Sequence, residues 1–152
     1  MDPEVHSEIR SWIGGYTGEL DSVDFLMGNC TVGMWLAFAH LMNPEFVEVR
    51  GCVLWGRVYE PGNFEEWYAR LDGDGRRVED LLNRFVVGYA VDCGESAEDE
   101  EALKDIAQAL AFSWGAALAR KFPSRRFQVQ VLATDDGPTV VFSRAAPDGP
   151  SY

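Results

Sequence analysis

The chain has 152 residues, 47% of them hydrophobic and 12% aromatic, with 25 acids against 13 bases and a formal charge of −12. That length fits one domain able to bury a core without metals or disulfides, and the composition excludes a disordered chain. The acidity also argues against nucleic acid, whose phosphates need clustered cations.

Two stretches hold nearly all of the excess charge. Residues 1–24 contain Asp2, Glu4, Glu8, Glu19, Asp21 and Asp24 against Arg10. Residues 92–105 contain Asp92, Glu95, Glu98, Asp99, Glu100, Glu101 and Asp105 against Lys104. A field concentrated in this way selects a cationic partner, whereas a diffuse one mainly keeps a protein soluble. The cysteines, Cys30, Cys52 and Cys93, are odd in number and irregularly spaced, so they form neither a disulfide framework nor a zinc knuckle. The Met-Asp-Pro-Glu start lacks the cations of a secretory signal, and the longest apolar run, Val32–Met42, is far short of a membrane span. Together these features predict a soluble cytoplasmic chain with reduced thiols.

In chain order, Val5, Ile9, Trp12 and Ile13 predict a helix over Pro3–Ile13, ended by Gly14-Gly15. Tyr16–Gly28 reads as a connection. Thr31–Met42 is apolar nearly all round, which predicts a buried helix at the centre of the fold, stopped by Asn43-Pro44. Phe46–Tyr59 reads as extended, either one bent strand or two short ones around Gly51 and Gly56. Pro61-Gly62-Asn63 supplies a turn and an Asn cap for a short helix over Phe64–Leu71, and Asp72-Gly73-Asp74-Gly75 breaks it. Val78, Leu81, Leu82, Phe85 and Val86 predict a helix over Arg76–Val87.

After a loop, Ser96-Ala97-Glu98-Asp99 has the form of a capping box. It opens a helix with the stripe Leu103, Ile106, Ala107, Leu110, Trp114, Ala117 and Leu118, with Arg120 and Lys121 in the last turn. Phe127, Val129 and Val131 then alternate with Gln128 and Gln130. With Thr139–Ser143 and an Asp135-Asp136-Gly137 turn they make a hairpin. The order predicts an α+β fold: a small, mainly antiparallel sheet of the central strand and the C-terminal hairpin, packed against several helices, one of them centrally buried. Residues 1–144 form the expected globular domain, and 145–152 a flexible tail.

Candidate chemistry is sparse. Gly28-Asn29-Cys30-Thr31 places a cysteine before an apolar helix, where a helix N-terminus stabilises a thiolate. Over about a dozen residues this resembles papain-like cysteine enzymes. That resemblance implies a nucleophilic Cys30 and a base histidine on a later strand, but no histidine follows His40. On a straight helix His40 lies about 15 Å from Cys30. Asp72 and Asp74 do not begin an EF-hand, because Arg76, Arg77 and Asn83 occupy its ligand and glycine positions. Gly14-Gly15 and Gly73-x-Gly75 lack the Lys-Ser/Thr of a phosphate loop. Adjacent pairs such as Glu79-Asp80 diverge by about 100° on a helix. No metal, cofactor or catalytic assignment follows. A small cysteine-dependent enzyme or ligand binder built around Cys30 is the alternative reading.

The favoured reading is a non-catalytic protein-binding domain: an adaptor, regulator or immunity-like inhibitor. It engages a protein with a basic surface through Glu4, Glu8, Glu98, Asp99, Glu100 and Glu101, with Trp67 and Tyr68 as aromatic anchors. In general character it resembles bacterial immunity proteins that neutralise basic nuclease toxins. Neither nucleic acid nor a membrane is an expected partner.

Overall fold

Helix α6 (Ala97–Lys121) carries the main core in this computed structural model, which describes residues 1–91, 93–94 and 96–146. Before it come α1 (Ser7–Gly14), α2 (Ser22–Asn29), α3 (Val32–Met42), the strands β1 (Phe46–Val49) and β2 (Cys52–Trp55), α4 (Pro61–Arg70), α5 (Gly75–Leu82) and β3 (Arg84–Val86). After it come β4 (Phe127–Thr134) and β5 (Gly137–Arg144). The fold is α+β, with two small antiparallel sheets ordered β1-β2 and β3-β5-β4. The expected tail beyond Ala146 lies outside the described residues, as do Asp92 and Glu95.

The α6 stripe buries Leu103, Ala107, Leu110, Trp114, Ala117 and Leu118 against the sheet, while Ile106 stays partly exposed. Trp114 is wholly enclosed, with Trp55 4.9 Å and Phe142 6.0 Å away between ring centroids. The capping box forms by half. The Ser96 hydroxyl accepts from the Asp99 N–H at 3.0 Å, and the Asp99 carboxylate accepts the Ser96 hydroxyl rather than the Ser96 N–H. At the other end Lys121 donates to the Phe46 carbonyl and Arg120 to the Asn43 side chain, so these cations also fasten β1 and the end of α3.

The C-terminal hairpin runs from Phe127↔Arg144 to Thr134↔Gly137 around a two-residue turn, with Gly137 at φ +98°. The extended segment expected after Pro44 is a second hairpin, β1–β2. Its central residues Arg50 and Gly51 both have positive φ, at 48° and 76°, the geometry that matches strand twist.

Four expectations are corrected. The connection expected over Tyr16–Gly28 contains helix α2, which Asp21 and Asp24 start with a capping box. The helix drawn over Arg76–Val87 ends at Leu82, and Arg84–Val86 becomes an edge strand on β5. The reason is Asn83, which is fully buried. Its side chain accepts from Trp55 N–H and donates to the Val53 and Phe142 carbonyls, and these bonds outweigh continuation of the helix. α4 is capped by Glu60, whose carboxylate accepts from the N–H groups of Gly62 and Asn63, and Asn63 lies inside the helix. Those two bonds hold the Glu60 carboxyl below its ordinary range. The centrally buried helix is α6, not α3. Every residue from 31 to 40 is exposed, and in chain order the first buried residue is Pro44.

The two sheets share no ladder, and α5 joins them through side chains. Glu79, 1% exposed, accepts from Val53 N–H on β2 at 2.8 Å and from Arg144 N–H on β5 at 2.7 Å, with the Arg144 guanidinium beside it. Burial lowers the Arg144 pKa, but the bond and charge of Glu79 outweigh it and raise the value. A second, smaller cluster of Cys52, Leu54, Phe64 and Val78 packs α4 and α5 on the outer side of β2. The Cys52 thiol is pushed up by burial and by the neighbouring Glu79 carboxylate, which fits a structural thiol.

Candidate functional site

The two acidic stretches meet. A 3₁₀ turn over Pro3–Val5, capped by Asp2, delivers the chain to the first turns of α6. There the Ser7 N–H donates to Glu98 at 2.8 Å, His6 Nε2 lies 3.2 Å from Asp99 Oδ1, and the Met1 ammonium pairs with Asp105. Glu4 and Glu8 flank these contacts on one segment, and Glu100 and Glu101 follow on the other. All four are exposed. The Asp99 carboxyl is held below its ordinary range by the Ser96 hydroxyl first and by His6 second. Arg10, the cation of the first stretch, is turned back onto the Val5 carbonyl. Under the carboxylates lies a cleft of about 310 Å³ with an apolar floor that includes Ile9, Phe25 and Leu103.

The other predicted site residues fall elsewhere. Trp67 and Tyr68 sit half-buried on α4, under the guanidinium groups of Arg70 and Arg50 respectively, each at 5.2 Å from the ring centroid. Tyr68 also packs on Phe64, so these rings contact α4 and its own cluster rather than the carboxylates. Cys30 is the C-cap of α2, its N–H bonded to the Leu26 carbonyl, and Thr31 rather than Cys30 caps α3. His6 is engaged with Asp99, and His40 lies at the far end of α3 from Cys30. Among the described residues no group of three or more His, Cys, Asp or Glu side chains is arranged to hold a metal ion.

Sequence reasoning missed the largest uncovered apolar surface. Val32 is 86% exposed, Leu36 65%, Met34 54%, Phe38 53% and Trp35 42%; Val23, Leu26 and Met27 of α2 add to them. Among the described residues, two hydrogen bonds from α6 fasten α3 at its C-terminal end. The Trp114 indole donates to the Leu41 carbonyl at 2.8 Å and the Ser113 hydroxyl to the Met42 carbonyl at 2.5 Å. α1 and α2 hold each other through Trp12, which stands edge-on to Phe25 and lies so close to Gly28 that a Cβ there would sit 2.9 Å from the ring. The whole chain exposes 9883 Å². A folded monomer of this mass is expected to expose about 7,700 Å². Even fully extended, residues 147–152 could account for only about 900 Å² of the excess. The signal in the sequence was an 18-residue run, Phe25–Met42, without one charged side chain.

No protein-family model matches the chain, and no curated protein or solved structure matches it either.

Proposed function

We propose that the protein is a non-catalytic protein-binding domain that engages a basic partner through the acidic end formed by Glu4, Glu8 and the first turns of α6. The observation that carries this reading is the convergence of carboxylates remote in sequence, tied by the Ser7–Glu98 and His6–Asp99 contacts. Separated stretches would give two weak fields; joined, they give one negative surface that steers a cationic protein into encounter. The apolar floor beneath supplies the desolvated centre that such a rim needs. Three free thiols, one of them buried, favour a reducing compartment, and the cytoplasm is the setting we assign. Among the described residues no helix is long and apolar enough to cross a membrane.

The test uses the partner that co-purifies from the native host. Its association rate is measured at low and high salt with the wild type and with Glu4, Glu8, Glu100 and Glu101 all replaced by Lys. These four have exposed side chains, so their reversal spares the contacts of Glu98 and Asp99. The expected result is an on-rate about tenfold or more lower for the variant at low salt, with the difference closing as salt rises. Equal rates at low ionic strength would remove the proposal.

A further inference from the structure

The second charge-free surface of this molecule lies on α6. Residues 106–119 contain no charged side chain, and their outward stripe of Ala109, Phe112 and Ala116 is uncovered, with Phe112 81% exposed and Ile106 partly exposed at its edge beside the acidic-end cleft. The stripe lies opposite the face that carries Trp114 and Leu118, so the sheet cannot cover it. α3 poses the complementary problem. At 100° per residue its exposed residues 32, 34, 35, 36 and 38 spread over about 200° of the helix, more than one flat surface encloses. Its C-terminal end is already fixed beside this stripe, at Ser113 and Arg120.

We propose that two copies of this chain pair about a two-fold axis, with α3 of each copy lying on the outward stripe of α6 in the other. The two α3 helices and two α6 helices then form one layer in which each α3 is covered on more than one side. A two-fold interface is self-complementary, and this chain carries both halves of the match. The area is of the right size: the exposed large side chains of α3 and α6 present on the order of 800 Å² per copy, comparable to the roughly 800 Å² per partner of a stable interface. Charge selects a second copy over the basic partner of the acidic end. Two chains of charge −12 repel, yet residues 25–42 and 106–119 bring no carboxylate into contact, and the same absence gives a basic protein nothing to recognise. It selects against an anionic membrane too, because residues 11–49 contain no Lys or Arg.

The experiment is sedimentation equilibrium of the full chain over a roughly hundredfold dilution series, alongside Leu36→Glu, Phe112→Glu and the four-site Lys variant of the acidic end. The wild type is expected at twice the monomer mass. Each Glu variant should weaken association by roughly a hundredfold, the scale of a central interface residue. The Lys variant should stay dimeric, which separates this inference from the one about the acidic end. Because Leu36 and Phe112 are exposed in the monomer, both Glu variants should keep the far-ultraviolet circular dichroism of the wild type. A monomeric wild type at every concentration, or a dimer untouched by both Glu variants, would overturn the proposal. So would partition of a monomer onto phosphatidylcholine vesicles.

Discussion

The α6–sheet region and the N-terminal helices are built from equally apolar sequence and end in opposite environments. Around α6 the apolar faces close on one another, and buried polar atoms such as the Glu79 carboxylate and the Asn83 amide have named partners. Between Ser7 and Met42 three helices form and not one residue is buried. Both regions have caps: Asp21 makes a full capping box with Asp24 on α2, and the Thr31 side chain caps α3. The difference lies in partners. Capping and propensity make a helix, but only a complementary surface buries it, and residues 31–40 are left exposed. Stability should therefore reside in one region and association in the other.

The largest effects should come from the closed region. Trp114→Ala should cost about 3–5 kcal/mol, for it removes a fully enclosed ring and the donor to the Leu41 carbonyl. Glu79→Ala should cost a similar amount, about 3–5 kcal/mol, because it leaves Arg144 and two backbone N–H groups without their partner. Urea unfolding of each variant measures both. A loss below 1 kcal/mol in either would break the division drawn here.

A smaller effect sits at the junction of the two regions. Ser96→Ala removes the N-cap of α6 and should cost about 1 kcal/mol. The Asp99 contact adds a pH dependence with a defined sign. Its folded-state pKa is depressed, so its contribution is complete above the unfolded value of about 4 and is lost as pH falls through the folded one. Nuclear magnetic resonance should show the signals of His6 and Ser7 shifting in that acid window while those of β4 and β5 stay put. A transition shared by all of them would mean that the N-terminal segment is not a separate unit.

The smallest effect should lie on α3 itself. Leu36→Ala, measured where the protein is monomeric, should change stability by less than about 0.5 kcal/mol, because the side chain touches little. A cost near that of a core leucine, about 2–5 kcal/mol, would place α3 inside the monomer instead.

Legibility in the sequence follows the same division. α6 and the C-terminal hairpin could be read because their signals are local and their partners lie in the same chain: Leu103 through Leu118 mark one face, and Phe127, Val129 and Val131 alternate. β3 could not, since Phe85 and Val86 fit the period of the preceding helix as well as a strand, and nothing local says that Asn83 will be buried. For α3 the sequence predicts burial and the structure leaves residues 31–40 exposed. An all-apolar helix needs enclosure, and periodicity cannot say whether the enclosing atoms belong to the same molecule. Of the site, the acidic residues were visible as composition, but their meeting through Ser7 and His6 required the fold. Trp67 and Tyr68 were visible as aromatics, and only the structure gives each an arginine of its own.

Glu79 on α5 and Asn83, the C-cap just past its end, stand four positions apart, and together they set the offset between two sheets that share no ladder. Insertion of one residue between them would swing the amide about 100° from the carboxylate and leave both sheets without a common ruler. The turn at Asp135-Asp136 carries no such duty and has room to grow. Length variation among descendants of this chain is thus expected to collect in the hairpin tip and to spare the segment from Glu79 to Asn83 that gauges one sheet against the other.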